Sequence, residues 1–76
     1  MIDTVFLGRK IAESRKSLHL TQSGLAARVG VTAQAVSKWE QGRSCPDIAI
    51  LDEIADALGI SLFELLGMEE REKSSS

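Results

Sequence analysis

Read for periodicity, the chain is a succession of short amphipathic stretches, separated by glycines and by Thr, Asp or Ser residues placed to cap helices. The first runs from about Thr4 to Leu18, with Leu7, Ile11 and Leu18 at spacings of four and seven and Ser14 completing the stripe weakly. His19 is expected to end it, because histidine is among the non-glycine residues better tolerated in the left-handed position after a helix. Thr21 caps a second helix, about Gln22 to Val29, which turns Leu25, Ala26 and Val29 inward until Gly30 breaks it. Thr32 caps a third, about Ala33 to Gln41. On it Val36, Trp39 and Glu40 share one face, and Gln34, Ser37, Lys38 and Gln41 share the opposite one. Gly42 and Pro46 stop that helix, and Asp47 caps a fourth that reaches about Leu58 with Leu51, Ile54, Ala55 and Leu58 inward. After Gly59, Ser61 and Glu64 form an S-x-x-E capping box that opens a fifth helix carrying Leu62, Leu65 and Leu66. No alternating strand pattern competes, so the expected fold class is all-α with five helices.

A chain of 76 residues with 43% hydrophobic composition has room for one small domain, whose core must enlist most of the apolar positions. The expected domain is residues 1–67. Residues 68–76, charged and then serine-only, read as a disordered tail. With one cysteine, Cys45, and one histidine, His19, neither an internal disulfide nor a Cys/His zinc site can be built, which suits a reducing cytoplasm. Cys45 reads as an inert loop residue, and neither a leader pattern nor an apolar run of membrane-spanning length is present.

The formal net charge of −2 at first disfavours a nucleic-acid partner, since phosphate binding depends on Lys and Arg releasing counterions. The charge is unevenly divided. Residues 1–46 carry seven basic against three acidic residues (+4), and residues 47–76 carry two against eight (−6). The basic half contains the two short helices joined through Gly30-Val31-Thr32, a spacing that turns the chain within a few residues and makes the second of the two helices protrude.

The run Leu20-Thr21-Gln22, Leu25-Ala26, Val29-Gly30-Val31-Thr32, Val36-Ser37-Lys38-Trp39-Glu40, Gly42, Pro46-Asp47, Ile54-Ala55 with Leu58, and Ser61 through Glu64-Leu65-Leu66 resembles the lambda-repressor-like (Cro/repressor, or xenobiotic-response-element) helix-turn-helix family of bacterial and phage transcription regulators. The resemblance covers about residues 7 to 67. It implies that the helix from Ala33 to Gln41 enters the DNA major groove, with Ala33, Gln34, Ser37 and Lys38 toward base edges. Their chemistry suits that place: the Gln34 amide matches adenine N6 and N7, Ser37 donates or accepts, Lys38 reaches guanine or phosphate, and the Ala33 methyl suits a thymine methyl.

The resemblance further implies backbone contacts from Gln22 and Ser23 at the start of the second helix, and from Gln41, Arg43 and Ser44 after the third, with Lys16 and Arg9 as weaker candidates. Gln22 is also placed to brace Gln34. Arg15 and Glu40 match the family's internal ion pair and are assigned to structure, and Trp39 to packing. Gly24 departs from the family pattern, in which a glutamate closes a capping box, so the second helix is expected to start less firmly. Ser14 departs as well, standing where an aliphatic residue fills the inner stripe; Phe6 or Leu18 is expected to fill that space.

The implied function is sequence-specific binding of a double-stranded DNA operator by a homodimeric transcription regulator, most simply a repressor. Dimerisation is expected because one helix reads only a few base pairs, and Phe63 with Leu62 or Leu66, joined by Val5 and Phe6, is the expected interface. The competing class is a protein-interaction module on the same fold that works through its acidic second half. Catalysis is disfavoured, since paired carboxylates such as Asp52 and Asp56 come with no nucleophile–base pair, metal ligands or phosphate loop, and no cofactor or small-molecule effector is implied.

Overall fold

A computed structural model describes residues 3–68 and builds them from five helices: α1 (Thr4–Ser17), α2 (Gln22–Val29), α3 (Ala33–Glu40), α4 (Ile48–Leu58) and α5 (Leu62–Leu66). Most of the expected tail, residues 69–76, lies outside the described residues; Met68 is exposed.

Each helix begins at a side-chain oxygen that satisfies orphan N–H groups of the first turn. Asp3 Oδ1 accepts from the backbone of Val5 and Phe6 at 3.0 Å each, Thr21 from Gly24 at 2.9 Å, Thr32 from Ala35 at 3.1 Å, Asp47 from Ile50 at 2.9 Å and Ser61 from Glu64 at 2.9 Å. The Ser61–Glu64 box is made in one direction, because the Glu64 carboxylate turns to Lys10 Nζ on α1 at 3.2 Å. At the start of α2 Thr21 caps as expected, and at Gly24 a Cβ would stand 3.3 Å from the Thr21 hydroxyl and 3.5 Å from Leu20.

At its end α1 closes through His19, whose φ of 59° lets the backbone N–H of Leu20 reach the Arg15 carbonyl at 3.0 Å and that of His19 reach Lys16 at 3.0 Å. This reversal comes after Ser17, so Leu18 caps the helix instead of completing its inner stripe and is 46% exposed. The expectation that Leu18 or Phe6 fills the space beside Ser14 is therefore corrected. Leu18 lines an open groove of about 310 Å³ with Lys10, Glu13, Ser14, Leu58 and Ile60, and the half-buried Phe6 lies against Gly67 at the other end of α5.

The core forms where all five helices meet: Leu7 and Ile11 of α1, Leu25, Ala26 and Val29 of α2, Val36 and Trp39 of α3, Leu51, Ile54, Ala55 and Leu58 of α4, and Leu65 of α5. Burying each large aliphatic side chain is worth roughly 1.5–3 kcal/mol, so a domain this small depends on nearly every one. Helix α3 packs on α1 and α2, α4 packs on the same two helices, and α5 packs on α1 and α4.

Candidate nucleic-acid interface

The surface of interest is built on α3, and what positions α3 is its contact with α1. Gly8 is buried in the middle of α1, and a Cβ there would overlap the Trp39 carbonyl oxygen and stand 2.9 Å from that of Glu40. The absence of a side chain lets the C-terminal turn of α3 lie directly on α1. This contact was not singled out in the sequence, although a glycine inside an otherwise good helix, at a cost of about 1 kcal/mol relative to alanine, is its visible trace.

Beside that crossing Arg15 Nε donates to Glu40 Oε2 at 2.6 Å and its NH2 group to Oε1 at 3.0 Å, while NH1 donates to the Leu20 carbonyl at 2.8 Å. The two side chains are 10% and 8% exposed. Burial works to raise the Glu40 pKa, but hydrogen bonds from Arg15 and Gln22, with the charges of Arg15 and Lys16, outweigh it and hold the carboxylate below its ordinary range. The hydrogen bond to Glu40 raises Arg15 in turn, against the opposing effect of burial. Gln22 Nε2 donates to Glu40 Oε1 at 3.0 Å. The expected brace between Gln22 and Gln34 is therefore replaced by one between Gln22 and Glu40, because a buried carboxylate attracts the amide N–H more strongly than an exposed amide does.

With its inner side fixed, α3 turns Gln34 and Lys38 outward, while Ala33 and Ala35 pack partly against the core. Gln34 and Lys38 are exposed, and Ala33, Ala35 and Ser37 are half-buried. Gln41, expected as the last helical residue, is the C-cap, and its side-chain amide donates back to Ser37 Oγ at 2.8 Å. Gly42, at φ 74°, then reverses the chain: the backbone N–H of Arg43 reaches the Lys38 carbonyl at 2.9 Å and that of Gly42 reaches Trp39 at 3.0 Å. Arg43 NH1 lies 3.4 Å from Gln41 Oε1. Ser37, Gln41 and Arg43 thus form a chain across the end of α3, and Arg43, Ser44 and Ser23 are exposed. Lys10 is engaged by Glu64, whereas Arg9, Lys16, Arg28, Lys38 and Arg43 are exposed cations. Trp39 is 6% exposed and packs in the core, and Cys45 is an exposed free thiol.

Two features favour an anion here. The N-termini of α2 and α3 carry backbone N–H groups and the positive ends of helix dipoles, and exposed Lys38 and Arg43 add full charges. Exposed Asp52, Glu53 and Asp56 lie on α4, which packs against α2 and α1.

Comparison with known proteins gives a consistent result. A family profile described as Helix-turn-helix (HTH_3) matches residues 11–65. The chain is 38% identical over 58 residues to the cryptic phage CTXphi transcriptional repressor RstR of Vibrio cholerae, covering 76% of this chain and 52% of that one. The chain therefore spans about half the length of RstR. It is 51% identical over 49 residues to an uncharacterized HTH-type transcriptional regulator of Methanothermobacter thermautotrophicus, covering 64% of this chain and 71% of the relative. Among solved structures, the P22 c2 repressor in complex with synthetic operator 9T superposes with a TM-score of 0.78 at 34% identity, covering 82% of this chain and 94% of the repressor chain. Among the described residues, no helix is long and apolar enough to cross a membrane.

Proposed function

The chain belongs to the Helix-turn-helix family, and from that premise we propose that it binds a double-stranded DNA operator sequence-specifically as a homodimeric transcription repressor. The observation that carries this reading is the two-sided construction of α3. Its inner side is fixed by Gly8, Val36, Trp39 and the Arg15–Glu40 pair, while Gln34 and Lys38 stand exposed beside the capped starts of two helices. A helix held this firmly can present hydrogen-bonding groups to a groove without first losing much conformational freedom.

In this reading α3 lies in the major groove. Gln34 pairs with a base edge, Lys38 reaches guanine or phosphate, Ala33 offers a methyl contact, and Ser37, which accepts from Gln41, keeps its hydroxyl proton for donation. Gln22, Ser23, Gln41, Arg43 and Ser44 meet the sugar-phosphate backbone and set register. The homodimer uses Phe63, 54% exposed, with Val5, 59% exposed, as apolar surface for a second copy.

A second reading, a protein-interaction module, draws on the exposed Asp52, Glu53 and Asp56 of α4 and on Ile48, 72% exposed at the start of that helix. Duplex binding measured across a salt series separates the two. The DNA reading expects affinity that falls steeply as salt rises, and selection from a random DNA pool should return two related half-sites about 34–36 Å apart, or a multiple of that. Absence of duplex affinity at low salt would favour the interaction module.

A further inference from the structure

Gln22 belongs to two regions at once. It is the first residue of α2, on the surface proposed to meet phosphate, and its Nε2 donates to Glu40 Oε1 at 3.0 Å inside the contact between α1 and α3. An ionised carboxylate only accepts hydrogen bonds, so the amide of Gln22 must turn its NH2 group toward Glu40. One N–H is used there. The other N–H and the side-chain carbonyl remain, and since a phosphate oxygen also only accepts, that single N–H is the one side-chain group Gln22 adds to its backbone N–H for DNA backbone.

The anchor is itself anchored. Arg15 gives two donors to Glu40 and a third to the Leu20 carbonyl at 2.8 Å, so one guanidinium ties the end of α3 to the residue that precedes the Thr21 cap. The start of α2 is held at Leu20 through Arg15 and at Gln22 through Glu40. We infer that Glu40, which does not itself meet DNA, is a positioning residue: it fixes the Gln22 amide so that one N–H is presented to a phosphate, with Arg15 aligning the same helix start. This role rests on the DNA-binding reading above. The Gln22 side chain then loses its rotamer freedom on folding and not on binding.

The test follows the Gln22 side-chain amide by nitrogen-15 NMR in the full chain, alongside affinity for a random-sequence duplex at low salt. In the free protein the proton facing Glu40 should exchange with solvent more slowly than the side-chain amide protons of exposed Gln34, and added duplex should shift mainly the other. Gln22→Ala should weaken duplex binding about three- to tenfold, as expected for one hydrogen bond. The paired replacement R15M/E40L substitutes apolar contact for the ion pair. It should bring a similar loss while melting cooperatively, and adding Gln22→Ala to it should cost nothing further. Wild-type affinity in R15M/E40L, or losses that multiply when Gln22→Ala is added, would overturn the inference. If the paired variant does not fold, the wild-type spectrum decides: a Gln22 amide whose two protons both exchange as fast as those of exposed Gln34 overturns the inference, and protection of the proton facing Glu40 supports it. A wild-type chain with no duplex affinity but with the protected Gln22 proton overturns the DNA reading and the positioning role with it, leaving only the anchor.

Discussion

On the inward side of α3 the charged residue Glu40 accepts three hydrogen bonds and is nearly removed from water; on the outward side Gln34 and Lys38 are exposed. The same eight-residue helix thus treats polar groups in two opposite ways. Inside, each polar atom is matched, because an unmatched buried charge would cost more than a domain of this size could tolerate. Outside, hydrogen-bonding capacity is left open, which costs nothing in water and is useful when a partner arrives. The contrast suggests that damage to the inner face will be read as lost stability, and damage to the outer face as lost binding with stability unchanged.

The largest effect is expected from breaking the inner match. Glu40→Ala strands the Arg15 guanidinium, leaves Gln22 without its acceptor and should destabilise the fold by about 3–5 kcal/mol in urea denaturation. R15M/E40L should lose much less, because both charges leave together. The same carboxylate sets an acid limit. Its folded pKa lies below its ordinary value of 4.5, so the unfolded chain takes up the proton first as pH falls. Its contribution is therefore complete above about pH 4.5 and is lost as pH drops through the lower folded value. The paired variant should lack this component of acid unfolding, and an unchanged acid midpoint in it would remove Glu40 from the account.

Next comes the crossing of α1 and α3. In an exposed helix Gly→Ala is a gain of about 1 kcal/mol. At Gly8 the added methyl meets the backbone carbonyls of Trp39 and Glu40, which no rotamer change can move aside. Gly8→Ala should cost about 1–3 kcal/mol by forcing the helices apart. Gly24→Ala, whose nearest neighbours are the Thr21 and Leu20 side chains, should cost less. A stabilised Gly8→Ala chain would mean that α3 is not seated on α1 as described.

These two cases also mark what the sequence disclosed. Periodicity identified Val36 and Trp39 as inward because burial repeats every three or four residues, and caps at Thr21, Thr32, Asp47 and Ser61 were legible because each hydroxyl or carboxylate acts within its own turn. Gly8 was not, since a close approach between α1 and α3 leaves in the sequence only an absent side chain. Leu18 was misplaced because α1 ends at Ser17, one residue before the stripe would have closed, and His19 then turns the chain. The partner of Gln22 was misplaced for a similar reason. A long side-chain amide can turn to partners distant in sequence, and only the tertiary arrangement brings Glu40 to it, at 3.0 Å. The proposed roles of the exposed Gln34 and Lys38 rest on the motif, since exposure alone does not distinguish a reading surface from ordinary solvated surface.

For the outer face the expected signature is selective. Gln34→Ala should leave the melting temperature unchanged while weakening binding to a selected operator by about 1–3 kcal/mol and relaxing preference at one base pair. Arg43→Ala should weaken selected and random duplexes alike and reduce the salt slope by about one unit. Equal loss on both duplexes for Gln34→Ala would take that residue out of base recognition.

The smallest effect tests whether pairing alone, without burial, makes a polar contact structural. Lys10 and Glu64 join α1 to α5 at 3.2 Å, but their side chains are 27% and 40% exposed. Water screens such a pair, and holding two long side chains in one geometry has an entropic cost, so Lys10→Ala should change stability by no more than about 1 kcal/mol. Because Glu64 already engages the ammonium on the α5 side of α1, Lys10→Ala should also leave the salt slope of duplex binding close to wild type, unlike Arg43→Ala. A slope reduced by a full unit would move Lys10 into the phosphate-binding set, and a stability loss matching that of Glu40→Ala would break the distinction between buried and exposed pairing on which the two faces of α3 were compared.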